Sequence, residues 1–125
     1  YCNGSRIGIL TDSGETTALH TAVYGDCQAL VLEANHCPEL LRQGPYPEIL
    51  KRRIRGTHGH LSNDQAVQFA TGLASLPCHL LLGHLSEQNN HPDAVRAAFT
   101  RIETGAIPHT VLEQHRAGRL IEVKP

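Results

Sequence analysis

Residues Arg6 to Glu33 read RIGILTDSGETTALHTAVYGDCQALVLE, and this stretch decides the fold. Arg6 to Thr11 is a short apolar run bounded by Asn3-Gly4 before it and Asp12-Ser13-Gly14 after it, the pattern of a buried strand that ends in a turn. Thr16 to Tyr24 then reads as a short helix broken by Gly25-Asp26, and Gln28 to Glu33 as a second buried strand. Strand, helix and strand in this order form a β-α-β unit, whose strands are expected to run parallel.

The pattern continues downstream. Pro38 to Arg42 is one helical turn, and Gly44-Pro45-Tyr46-Pro47 is a rigid turn because each proline fixes its own φ and restricts the residue before it. Pro47 opens a helix to about Arg55 that carries Lys51, Arg52, Arg53 and Arg55, the only dense basic cluster in the sequence. After a loop from Gly56 to Leu61, Ser62 and Gln65 have capping-box spacing for a helix to about Ala74. His79 to Gly83 is a third strand. Pro92 to Gly105 is an amphipathic helix with Val95, Ala98, Phe99 and Ile102 on one side, and His109 to Leu112 and Arg119 to Val123 are short strand-like runs. The class is α/β.

The 125 residues hold 11 Lys+Arg and 12 Asp+Glu, a net charge of −1 with histidines neutral, and 40% hydrophobic residues. This fits one soluble domain and excludes two, and it excludes a binder that grips nucleic acid by bulk positive charge alone. No apolar run approaches the ~18 to 20 residues of a membrane span, and no signal-peptide pattern opens the sequence. Cys2, Cys27, Cys37 and Cys78 form no C-x-x-C pair, so free thiols and a reducing cytoplasm are expected. The absence of Met reads as a segment of a longer protein, and nine histidines point to imidazole chemistry.

Three apolar runs each finish in a group able to bind a metal or move a proton. Asp12 follows the first, Glu33 with Asn35 and His36 the second, and His84 the third. In an open parallel sheet the carboxyl ends of the strands lie along one edge, so these groups are expected to converge there. Each alone has a bland reading, Asp12 as a turn former and a lone histidine as a structural residue. The joint pattern favours a site.

The same residues carry a resemblance. Asp12 within Thr-Asp-Ser-Gly, the strings Glu33-Ala-Asn-His and Gly44-Pro-Tyr-Pro, Leu50-Lys-Arg-Arg-Ile54, Gly59-His-Leu-Ser-Asn63 and His84-Leu-Ser-Glu-Gln-Asn-Asn90 stand in this order. Together they resemble the metallo-β-lactamase-fold hydrolases, and among them the bacterial YycJ/WalJ-type branch, across residues 6 to 123. The resemblance implies the C-terminal half of an αββα sandwich, a mixed sheet with helices on one side. It further implies two divalent ions, zinc or manganese, in the complete domain, with Asp12 matching the bridging aspartate and His84 the last histidine ligand. Glu33 and His60 match a proton-donating pair of related RNA-processing enzymes, in which the carboxylate orients the imidazole and the imidazole protonates a leaving oxygen. Lys51, Arg52 and Arg53, on the basic helix next in sequence to Gly59-His60, are expected to meet a phosphate backbone, and Asn63, Asn89 and Asn90 to contact substrate; a nucleic-acid phosphodiester is the implied substrate. For the basic helix, a solvated face is the alternative.

Two departures matter. The family's Thr-His-x-His-x-Asp-His string, which supplies most metal ligands, is missing; Thr57-His58-Gly59-His60-Leu61-Ser62-Asn63-Asp64 begins like it but puts Ser62 and Asn63 where an aspartate and a histidine belong. The missing N-terminal half of the domain is therefore an expected partner, His58 reads as a loop residue, and the chain alone is expected to hold metal poorly. Cys37 stands where the branch usually has an acidic residue, and it reads as a tolerated small side chain. A non-catalytic half-domain that only binds is the competing class. A serine hydrolase fails for want of Gly-x-Ser-x-Gly, and a phosphate-loop protein for want of Gly-x-x-x-x-Gly-Lys.

Overall fold

The computed structural model describes residues 4–101 and 106–124. Strand β1 spans Ile7–Leu10, helix α1 Ala18–Tyr24, β2 Ala29–Glu33, α2 Pro38–Gln43, α3 Glu48–Arg55, α4 Asn63–Thr71, β3 His79–Gly83, α5 Pro92–Thr100 and β4 Thr110–Val111. The strands form one sheet in the order β1-β2-β3-β4, and every ladder is parallel. The α/β class stands. A mixed sheet was expected of the sandwich, and the described strands form a purely parallel one.

Register fixes which side chains share a face. Leu10, Leu32 and Leu82 pair across β1, β2 and β3, as do Gly8, Leu30 and Leu80. These leucines are buried with Ala66, Phe69 and Ala70 of α4 and with Val95 and Phe99 of α5, so the two helices cover one face of the sheet. Burying Leu and Phe side chains of this kind supplies about 1.5 to 3 kcal/mol each. Gly8 makes room for the ring of Tyr24, since a Cβ there would lie 2.6 Å from Tyr24 Cδ1, and the Tyr24 hydroxyl donates to Ile9 O at 2.9 Å.

Among the described residues the opposite face is uncovered over β1. Ile7 and Ile9 are 60% and 63% exposed, and the row Ile9, Val31, Leu81 across the strands is apolar and only partly covered by the described residues.

Element ends moved where capping overrode periodicity. Ser62 caps α4, its Oγ accepting from Gln65 N at 3.2 Å while Ser62 N donates to Gln65 Oε1 at 2.9 Å. The far end stops at Thr71 and not at Ala74, because Gly72 closes the helix. Helix α1 begins at Ala18 and α5 runs to Thr100; Ile102 to Gly105 of the expected α5, like Cys2, lie outside the described residues. Only Thr110–Val111 of His109 to Leu112 is strand, and Arg119 to Val123 forms none, leaving Leu120 fully exposed. Cys27, Cys37 and Cys78 are free thiols.

Candidate active site

The carboxyl ends of β1, β2 and β3 deliver their polar residues to one place. Ligand atoms of Asp12, Glu33, His60 and His84 all lie within 4.8 Å of one another, the one such grouping of His, Cys, Asp and Glu among the described residues. His84 follows β3 directly and Asp12 follows β1 one residue on, after Thr11, and each has φ of 57°, a left-handed conformation that costs an ordinary residue on the order of 1 kcal/mol or more. Turning the backbone this way ends the strand and brings the side chain back over the sheet edge. Glu33 closes β2, and in strand alternation it shares the face of Val31, the one that α4 and α5 leave uncovered.

Glu33 is the hub. It is fully buried, and one oxygen, Oε1, takes His60 Nδ1 at 2.8 Å and His84 Nδ1 at 2.5 Å. The other, Oε2, accepts from Leu61 N at 3.1 Å and Ser13 N at 3.3 Å. A buried carboxylate is tolerated only when its lone pairs are met, and here four N–H donors meet them. With Nδ1 donating to Glu33, each imidazole has its Nε2 left for outside work. His84 Nε2 lies 4.0 Å from Asp12 Oδ1, and His60 Nδ1 lies 3.8 Å from the same oxygen. The two rings meet edge to face, centroids 5.3 Å apart.

His60 comes from a loop, and two glycines set its position. Gly59 packs so tightly on the end of α3 that a Cβ would lie 2.1 Å from Ile54 O, and His60 N donates to that carbonyl at 2.9 Å. Gly14 packs against the same loop, its N bonded to Thr57 O at 3.2 Å and its notional Cβ 1.8 Å from Gly56 O. Asn35 anchors the His84 loop, its Nδ2 donating to His84 O at 2.9 Å and its carbonyl accepting from Ser86 N at 2.8 Å. The sequence placed Asn35 beside Glu33 without a task; its position one residue past a strand end was the available signal.

The donor set fits a cation. An exposed carboxylate faces an imidazole whose far nitrogen is oriented by a buried carboxylate, the arrangement that fixes tautomer and ring plane in metal-ligating histidines. Asp12 and His84 could hold a metal ion there, with His60 and Glu33 beside them.

Other expected contacts fall elsewhere. Asn63 and Asn90 are buried and bonded reciprocally at 3.0 and 2.9 Å, and Asn90 also donates to Ala34 O. Asn89 is buried against Ser86 Oγ, and its carbonyl accepts from Cys37 N. These side chains bond within and between the loops, and Asn63 and Asn90 also border surface grooves. Lys51 is also buried, its Nζ donating to Arg42 O at 2.7 Å, because the helix turns it inward. Arg52 is exposed and lies 3.8 Å from Glu48, and Arg53 is exposed. His58 is an exposed loop residue, and Cys37 caps α2 outside the cluster. Near the site, His36 is buried with Nδ1 unpartnered, and burial, reinforced by His60, lowers its pKa to about 4.

A cleft of about 510 Å³ opens in front of His60 and His84, with Asn35, Tyr46, Leu50 and Ile54 among its walls. A larger groove, about 770 Å³, runs between α4 and α5 past Val67 and Ala98 and includes none of the four clustered groups. No helix of the described residues is long and apolar enough to cross a membrane.

The fold is thus a parallel α/β layer that carries two carboxylates and two imidazoles clustered at its strand edge. The chain is 34% identical over 101 residues to the exodeoxyribonuclease YycJ of Bacillus anthracis, covering 80% of this chain and 38% of that protein. It is 39% identical over 83 residues to the exodeoxyribonuclease WalJ of Streptococcus pneumoniae, covering 66% of this chain and 31% of that protein. These matches make the chain a homologue of the YycJ/WalJ proteins, members of the metallo-β-lactamase family. It spans about a third of the length of the curated relatives it matches. No family model matches, and no solved structure matches.

Proposed function

We propose that these residues form the C-terminal half of a dinuclear metal hydrolase domain that cleaves nucleic-acid phosphodiesters. The observation that carries the reading is the convergence of Asp12, Glu33, His60 and His84 within 4.8 Å at one strand edge. Asp12 and His84 would be this chain's metal ligands, and the remaining ligands would come from residues outside these 125. Zinc or manganese bound there supplies a water acidified enough to act as hydroxide near neutral pH. Glu33 holds His60 by Nδ1, so that His60 Nε2 gives its proton to the leaving oxygen as the P–O bond to it breaks and the bond to the water oxygen forms. Glu33 also orients His84, so one buried carboxylate sets both imidazoles. Arg52 and Arg53 on α3 offer cations to the phosphate backbone without reading bases.

The bare face of the sheet supports the half-domain reading, because Glu33 leaves β2 from that face and the same layer that would cover Ile7 and Ile9 would then stand beside the site. The exodeoxyribonuclease names of the relatives favour DNA as substrate. Free cysteines suit a reducing cytoplasm. The exposed Ile7 and Ile9 equally favour a second reading, in which the chain acts only as a binding or structural module.

Hydrolysis of a 5′-labelled oligonucleotide by the 125-residue chain, with zinc or manganese, separates the readings when run with and without an added polypeptide carrying the His-rich string. The proposal expects no turnover from the chain alone, and turnover on complementation that falls at least about a hundredfold in Asp12→Ala and His60→Ala. Robust turnover by the chain alone sinks the half-site claim, and complemented turnover indifferent to Asp12→Ala sinks the assignment of the site.

A further inference from the structure

The cleft before His60 and His84 contains an aromatic ring that the reaction above does not use. Tyr46 sits between Pro45 and Pro47 in the turn that joins α2 to α3, half-buried in the cleft wall. Among the described residues its hydroxyl makes no hydrogen bond and its ring no aromatic contact, so nothing in the packing accounts for a tyrosine here. The flanking prolines hold the backbone with few alternatives, so a ring mounted there loses little freedom when it receives a ligand.

Its surroundings define the ligand. Leu50 and Ile54, one turn apart on α3, line the cleft with Tyr46, and the exposed Arg53 lies three residues after Leu50, bordering the same helix face. The carboxylate of Glu87 on the cleft wall is engaged by His115, 3.0 Å away. A flat ring, two apolar side chains and two imidazoles lining one cleft suit the base, sugar and phosphate of a nucleotide.

Resting on the nuclease-like reading above, we propose that Tyr46 is the platform on which an unpaired base stacks beside the phosphodiester presented to His60, so that the site takes single-stranded or frayed nucleic acid. A base within a duplex has both faces covered by its neighbours and cannot use the ring. Stacking of this kind tolerates every base, so Tyr46 gives strand-state preference and not sequence preference.

The test is binding of single-stranded DNA oligonucleotides in chelator, so that nothing is cleaved, with 2-aminopurine at successive positions as a stacking reporter. The 125-residue chain and its Tyr46→Phe variant are expected to bind alike and to quench one position. Tyr46→Leu, with an unchanged circular dichroism spectrum and urea midpoint, is expected to bind about tenfold more weakly and to leave that position unquenched. An abasic residue at the quenched position should weaken the parent chain and leave Tyr46→Leu unaffected. Equal affinity and equal quenching by Tyr46→Leu overturn the role of Tyr46 alone. Failure of the parent chain to bind any single strand overturns the nucleic-acid reading and this proposal with it.

Discussion

Glu33 is the residue on which the site depends, because its two oxygens meet two imidazoles and two backbone N–H groups. A glutamine there offers one acceptor oxygen and aims an NH₂ at donors, so Glu33→Gln is expected to lower unfolding free energy by about 2 to 4 kcal/mol, read by urea denaturation. His36 gives a pH signature. Its folded-state pKa of about 4 lies below the 6.5 of an unfolded histidine, so the unfolded chain takes up the proton first as pH falls. The contribution is intact above pH ~6.5 and is lost progressively toward pH ~4, amounting to about 2 kcal/mol between pH 6.5 and 5. Urea midpoints at pH 7.5 and 5 should therefore differ by more in the parent chain than in His36→Gln. At this scale the sequence showed Asp12, Glu33 and His84 through their places after apolar runs, whereas His60 came from the family resemblance. It did not show the left-handed φ at Asp12 and His84, nor that Asn63, Asn89, Asn90 and Lys51 turn inward. Those depend on how loops close over the sheet, and no local pattern encodes that.

Among the elements, three strands were legible because each is a continuous apolar run with a turn former behind it, and the capping box at Ser62 and Gln65 marked the start of α4. The tail was not legible, since Arg119 to Val123 is as apolar as a strand yet forms none, with Leu120 fully exposed. The loop joining α3 to α4 has the strongest positional constraint. Gly59 has no room for a methyl group between it and Ile54 O, and the peptide after it carries His60. Gly59→Ala is expected to cost about 2 to 4 kcal/mol and to displace His60 from Glu33, seen as loss of the tautomer-specific ¹⁵N shift of that imidazole. Gly72→Ala, where a Cβ meets only carbonyls at 3.3 Å or more, should change stability by less than about 1 kcal/mol.

For the whole molecule, the parallel sheet has one face packed under α4 and α5 and the other face bare at Ile7 and Ile9. Parallel sheets are normally covered on both faces, which makes the bare side a place for further polypeptide. Ile9→Glu should leave the stability of the 125-residue chain within about 0.5 kcal/mol, since Ile9 is mostly exposed, yet abolish co-purification with a polypeptide carrying the missing half. The parallel β-α-β opening of this half was readable from element order, whereas helices on one side of the sheet came with the family resemblance. What lies against the bare face was not readable, because its apolar positions alternate within strands that read as continuously buried. The central claim is that Asp12 and His84 are this chain's share of a metal site, and calorimetric titration of zinc into the 125-residue chain, Asp12→Ala and His84→Ala tests it most directly. Two ligands predict weak binding, in the micromolar range or weaker, lost in each variant; tight binding of two ions by the chain alone, or binding unchanged in both variants, would contradict it.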